Sequence, residues 1–204
     1  MSLHPHVTGV ILAGGRATRM GGQDKGALPL GGADDTPLSR VLAVLAARFP
    51  VSVVVASPGA RAVRAGAAAR VAFDAYPGCG PLGGLHAGLR AIETPLAFVC
   101  AADMPSLSGP LIDHIVARAR ADRPLVPVRN GRPEPLHAVY PGSCLPAVEK
   151  ALEDGIRMML DFFATIDVDY LPEADYAGVE GASASFENIN TPDDLARVML
   201  KERS

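Results

Sequence analysis

The chain has 204 residues, of which 49% are hydrophobic, 20% charged and 5% aromatic, with a formal net charge of −3. That length fits one compact domain, 1–204, and the hydrophobic share excludes an intrinsically disordered chain. The near balance of 22 acidic and 19 basic residues disfavours a generic nucleic-acid binder, which needs clustered positive charge.

Residues 7–12 (VTGVIL) are a short β-branched run that predicts a buried strand. The strand leads directly into a glycine-rich, basic loop over 13–25. Over 37–49, Leu38, Val41, Leu42, Leu45 and Phe49 recur at helical spacing. Residues 51–56 (VSVVVA) predict a second strand, closed by the turn signal Ser57-Pro58-Gly59. An alanine-rich helix is expected over 60–70, then a short strand over 71–73. A Gly/Pro loop over 74–84 runs into a helix that continues to 92. LAFVC, 96–100, makes a fourth apolar strand, followed by a helix over 110–121 and a strand over 125–128. Beyond 129 the pattern loosens to a strand over 137–140 and helices over 145–153 and 157–163. A last helix opens at Thr191-Pro192-Asp193-Asp194. There Thr caps, Pro occupies the first turn and two carboxylates oppose the helix dipole. Alternating strands and helices with continuously apolar strands predict an α/β fold, a mostly parallel sheet covered on both faces.

No apolar run approaches the roughly 18 residues of a membrane span. The stretch 1–10 lacks the basic-then-apolar order of a secretion signal. Cys79, Cys100 and Cys144 fit neither a disulfide framework nor a zinc pattern. Buried free thiols in a cytoplasmic protein are expected, with neither nucleic acid nor membrane as partner.

In open α/β sheets ligands bind beyond the carboxyl ends of the strands, and three segments stand there. In LAGGRATRMGGQDK, Gly14, Gly15, Gly21 and Gly22 allow sharp turns that aim backbone N–H groups at an anion, and Arg16, Arg19 and Lys25 add positive charge. A tight strand-to-helix turn would explain the glycines alone; with three cations the loop is better explained by a polyphosphate. It is neither a P-loop nor a GxGxxG fingerprint. Asp103 follows LAFVC directly, where a carboxylate suits a Mg²⁺ ion shared with substrate phosphates, the plainer role being a turn residue ahead of Met104-Pro105. Asp74, at the end of the third strand, has the acceptor pair to read guanine and equally the chemistry of a turn. His137 is expected at a strand start facing the cleft, Tyr76 as a loop anchor, and Met158 and Met159 as core filling or cleft lining.

These residues resemble a known family. LAGGRATRMGGQDKGALPL is similar to the opening signature of nucleotidyltransferases with a three-layer, Rossmann-like core. The match continues through 53–56, YPGCGPLGG, AADMP, RPEPLHAVYP and FENINTPDDL. Taken together, in order over 7–195, they resemble the molybdenum cofactor guanylyltransferase family. The resemblance implies transfer of GMP from GTP to molybdopterin or its molybdenum form, with Mg²⁺, giving a guanine dinucleotide cofactor and pyrophosphate. It implies that 1–129 holds the nucleotide and 130–204 the acceptor. Leu12, Ala13 and Gly14 would contact the nucleotide through backbone; Gly15, Arg19, Gly22 and Lys25 would surround the phosphates. Asp74 would contact guanosine, Asp103 would hold Mg²⁺, and Asn188 and Asn190 would lie near the pterin or the reacting phosphate. Arg19, Lys25 and Asp103 would be catalytic. Other cofactor-biosynthesis proteins and apo-molybdoenzymes are the protein partners implied. Two positions depart from the family pattern: Ala56 stands where an asparagine often faces the nucleotide, and Met158 follows Arg157 where paired arginines are usual. The neighbouring readings are a CTP-dependent molybdopterin cytidylyltransferase, another transferase of this fold such as one charging a sugar phosphate, and a non-catalytic nucleotide-binding adaptor for cofactor delivery.

Overall fold

The computed structural model describes residues 4–13, 29–30, 35–58, 69–191, 193–194 and 196–197. Its strands are β1 (Val7–Leu12), β2 (Ser52–Ala56), β3 (Ala69–Phe73), β4 (Leu96–Ala101), β5 (Leu125–Arg129), β6 (Arg132–Pro133), β7 (His137–Pro141) and β8 (Asp169–Leu171). They form one eight-stranded sheet in the order β3-β2-β1-β4-β7-β5-β6, with β8 paired to β5. The pairs β1–β2, β2–β3, β1–β4 and β5–β8 are parallel, and β7 runs antiparallel to β4 and β5. The chain winds outward from β1 through β2 to β3, then crosses back to lay β4 on the other side of β1. The strand order therefore reverses between β1 and β4, and a crevice opens at their carboxyl ends.

Helices α1 (Pro37–Ala46) and α3 (Gly109–Val116) cover one face; α2 (Gly80–Ala91), α4 (Leu145–Glu153) and α5 (Met159–Phe163) cover the other. Alternation along each strand feeds both cores. Val7 and Ile11 pack with Val41, Leu45 and Ile112, whereas Val10 and Leu12 pack with Leu82, Leu85 and Phe162. The start of α1 is fixed by a capping box: the Thr36 hydroxyl accepts from Ser39 N–H at 3.1 Å and the Ser39 hydroxyl accepts from Thr36 N–H at 2.9 Å. It ends three residues before the predicted boundary because Pro50 disfavours a helical Phe49. Phe49 nonetheless stays in the core.

Several expectations need correction. Ala69 and Arg70 begin β3 rather than ending a helix, and the rest of the predicted 60–70 helix lies outside the described residues. The helix predicted over 110–121 stops at Val116, where Arg118 N–H and Ala119 N–H turn back to Ile115 and Val116. Strands β6 and β8 and the short helix α6 (Ala182–Ser185) were not foreseen. The hairpin into β6 turns on Asn130 and Gly131, both with positive φ (49° and 74°), the geometry of a type I′ turn.

Two glycines set how closely helices approach the central strand. A Cβ on Gly9 of β1 would meet Leu45 Cδ1 at 2.9 Å, and one on Gly88 of α2 would meet Val10 Cγ1 at 2.6 Å. Helix α2 therefore lies directly on β1, and its amino end is held at the carboxyl edge of the sheet. Gly88→Val drives a branched side chain into Val10. It is expected to cost about 1–3 kcal/mol, read as a lower urea midpoint with an unchanged slope.

Candidate active site

The crevice is built on the β1–β4 pair. Leu12 stands in register with Ala101, and the Leu12 carbonyl accepts from Ala102 N–H at 3.1 Å. Ala13 N–H donates to Val55 O at 2.8 Å. These backbone groups of Leu12 and Ala13 are thus engaged in joining three strands at the point where the glycine-rich loop departs. Gly14, Gly15, Arg16, Arg19, Gly22 and Lys25 lie outside the described residues. Of the described residues on either side, Ala13 follows Leu12 beside the end of β4, and Leu30 packs against the buried Ile189.

Ile189 in turn ties Leu30 to the carboxylate segment, since its N–H donates to the Asp103 carbonyl at 2.9 Å. Asp103 is half-buried, two residues past the end of β4. Burial first, and then the charge of Asp103, push the Cys100 thiol far above its ordinary value. A hard carboxylate oxygen at this edge suits a small dication that takes its remaining ligands from phosphates and water. Among the described residues no cluster of three or more His, Cys, Asp or Glu side chains forms a metal centre.

Asp74 has a structural task. Its N–H donates to Ala56 O at 3.1 Å, and its Oδ1 accepts from Tyr76 N–H at 2.8 Å, making a turn. Its carboxylate lies over the first turn of α2, with both oxygens within 3.2 Å of where a Cβ on Gly83 would stand. Ala56 is buried and the following Ser57 is exposed at the same edge. Tyr76 stands edge-on to His86 at 4.9 Å, as a loop anchor should.

The segment FENINTP closes the site. Asn188 and Asn190 are exposed on either side of buried Ile189, so both flank the residue bonded to Asp103. Asp194 Oδ2 accepts from Asn190 N–H at 3.0 Å and Thr191 N–H at 2.9 Å, while the Thr191 hydroxyl accepts from Asp194 N–H at 3.2 Å. This is the expected Thr cap, with the aspartate completing it reciprocally.

A cleft of about 230 Å³ lies along the other side of the same edge. Pro81 of α2, Pro133, Pro135 and Leu136 before β7, and the run from Arg157 to Leu160 line it. Met159 is buried, filling the core as well as lining the cleft, whereas Met158 is 64% exposed and only lines it. Arg157 Nη1 donates to the carbonyls of Leu152 and Ile156 at 2.9 and 2.8 Å, which fastens the guanidinium to the end of α4. Met158 and Met159 were expected as core filling or cleft lining, whereas the part taken by Pro81 and the two prolines of RPEPLH was not foreseen.

His137 departs from expectation: it is fully buried rather than facing the cleft. Burial draws its pKa down to about 3. The ring packs between Phe98 and Phe186, because both faces of β7 are covered and His137 shares the face of Val139, which packs into the same core as those two rings. Sequence reasoning also passed over Arg129, whose guanidinium lies 5.5 Å from the Phe186 ring centroid at the carboxyl end of β5.

Residues 9–168 match the family model described as the MobA-like NTP transferase domain. The chain is 34% identical to a probable molybdenum cofactor guanylyltransferase of Pelotomaculum thermopropionicum, covering 95% of this chain and 93% of that protein. It is 36% identical to a protein of the same description in Natronomonas pharaonis, over 93% of this chain and 95% of the other. Among solved structures, molybdopterin-guanine dinucleotide biosynthesis protein A from Archaeoglobus fulgidus superposes with a TM-score of 0.81 at 28% identity, covering 97% of this chain and 100% of that one.

The cap at Thr191 carries a pH-dependent test. Asp194 is held below its ordinary value of 3.8, first by Asn190 N–H and then by the Thr191 hydroxyl. A carboxyl depressed by folding stabilises the fold above its unfolded value and loses that contribution as pH falls through the folded one. Asp194→Asn, which removes the charge from the start of the helix, is therefore expected to cost about 0.5 kcal/mol near neutrality. Its urea midpoint should converge on that of the unaltered chain as the buffer is acidified below 3.8.

Proposed function

The chain belongs to the MobA-like NTP transferase family, and from that premise we propose that it transfers GMP from GTP to molybdopterin or its molybdenum-loaded form. The reaction yields the guanine dinucleotide cofactor and pyrophosphate. One observation carries this reading above all: the likeness to guanylyltransferases runs over nearly the full length of this chain and of the relatives. The β1–β4 crevice, with Ala13 at the end of β1 and Asp103 just past β4, supports it.

A phosphate oxygen of the acceptor attacks the α-phosphorus of GTP. A new P–O bond forms in line as the bond to the bridging oxygen of the β-phosphate breaks, and that oxygen leaves with pyrophosphate. The nucleophile is already an anion, so no strong general base is needed. The barrier lies in bringing two anions together, and fixed positive charge and positioning lower it. Arg19, Lys25, Gly15 and Gly22 surround the triphosphate. Leu12, Ala13 and Gly14 contact the nucleotide through backbone groups not engaged in the sheet, and Asp74 reads the guanine edge with the carboxylate oxygen not given to Tyr76. Asp103 is the residue that would hold Mg²⁺. When bound, the ion supplies neutralisation of the phosphate charge. Asn188 and Asn190 meet the pterin or the reacting phosphate, so that 1–129 serves the nucleotide and 130–204 the acceptor.

The compartment is the cytoplasm. No helix among the described residues is long and apolar enough to cross a membrane, and the three cysteines are buried and unpaired, which suits a reducing environment. Because the product is itself a cofactor, the partners upstream and downstream are other cofactor-biosynthesis proteins and apo-molybdoenzymes.

Lys25→Ala is expected to lose on the order of 3 kcal/mol of transition-state stabilisation, about a hundredfold in kcat/KM. A loss of less than about tenfold removes Lys25 from the phosphate site. Asp103→Asn should abolish most Mg²⁺-dependent pyrophosphate release while leaving the urea midpoint near that of the unaltered chain. Thermal-shift competition among the four nucleoside triphosphates is expected to favour GTP; a preference for CTP overturns the guanine role of Asp74.

A further inference from the structure

The segment that carries Asn188 and Asn190 is fastened to the sheet by a buried polar contact that none of the roles above uses. His137 opens β7 in register with Cys100 of β4 and is fully buried. Its ring stands edge-on to Phe98 at 5.4 Å and lies against Phe186 at 4.5 Å, and its Nε2 is 3.3 Å from Ser185 Oγ. The same serine oxygen accepts from Ser108 N–H at 2.8 Å, while the Ser108 hydroxyl donates to Glu180 O at 2.6 Å and caps α3 by accepting from Leu111 N–H at 3.2 Å. The Ser185 hydroxyl, its oxygen already accepting from Ser108, has both a proton to give and a second lone pair, so it pairs with Nε2 of the neutral ring in either tautomer.

Nδ1 is buried and has no hydrogen-bond partner among the described residues. A ring serving only to fill space between Phe98 and Phe186 would avoid that uncompensated nitrogen. The polar contact instead joins three elements at one point: the start of β7, the cap of α3 and the end of α6. The chain leaving that point reaches Asn188 three residues later, and Ile189 bonds the Asp103 carbonyl.

We propose that His137, Ser185 and Ser108 form a clamp that positions the 187–190 loop against Asp103, making His137 and Ser185 positioning residues for the transfer reaction. This rests on the guanylyl-transfer reading. Loss of the clamp frees Phe186 and the residues after it to drift, and a displacement of about 1 Å at substrate-contacting groups lowers turnover steeply.

Three variants test it: His137→Phe, which keeps the ring shape; Ser185→Ala, which removes the bridging oxygen; and His137→Gln, which restores a side-chain acceptor. For the first two, kcat is expected to fall about tenfold or more while GTP affinity stays within about twofold. Amide hydrogen exchange over 187–191 should accelerate, and for His137→Phe the thermal midpoint should not fall. His137→Gln should recover kcat to within about threefold of the unaltered chain. The clamp is overturned by unchanged kcat, by lost kcat with unchanged exchange over 187–191, or by a kcat loss that merely tracks a falling thermal midpoint in every variant. Should His137→Phe fail to fold, Ser185→Ala decides by the same criteria. Exchange needs no turnover, so it reports on the clamp even if the unaltered chain makes no dinucleotide from GTP and molybdopterin, a result that would instead sink the transfer reading.

Discussion

Parallel pairing of β1 with β4 is the constraint on which the rest of the molecule depends. It brings together strands that are distant in sequence, with Leu12 opposite Ala101 and Ala102 N–H on the Leu12 carbonyl. The neighbouring strands diverge in connectivity there, so a crevice opens that no single βα unit could make. The glycine-rich loop follows β1 and Asp103 follows β4, while Asp74 follows β3 two strands further out. Through Gly9 and Gly88, α1 and α2 sit close on β1 and cover it from both faces.

Phosphoryl transfer asks a protein for fixed charge and fixed distance more than for reactive side chains. The fold answers with backbone ties between segments far apart in the chain. Asp103 is linked through its carbonyl to Ile189, Ile189 packs on Leu30, and Asn190 and Thr191 are held by Asp194. The cleft along the other side of the edge is different in character: prolines and Met158 line it, and Arg157 is secured to the end of α4.

Much of this was legible without coordinates. The apolar strands VTGVIL, SVVVA and LAFVC appear with boundaries within a residue of expectation, because strands buried on both faces must be continuously apolar. The helix at Leu145–Glu153 matches residue for residue, and the Thr191 cap has the bonds its sequence implies. Strand β6 was legible in principle, since Asn130-Gly131 is a strong short-range hairpin signal. Strand β8 was not: three residues, DYL, carry no periodicity and become a strand only because β5 lies beside them.

The amino-acid sequence by itself determined the chemistry available: which residues are cationic, which carboxylates follow strands, where the backbone can turn, and hence the α/β class and the nucleotidyltransferase resemblance. These are local properties, written in spacing and residue type. Only the tertiary structure decided which of those residues meet. It put Ile189 against both Asp103 and Leu30, turned His137 into the core instead of toward the cleft, and made Asp74 the hinge of a turn. The reason is physical. Which face a side chain takes and which segment it meets depend on strand register and on the path of the crossover, and both are set by packing among elements far apart along the chain.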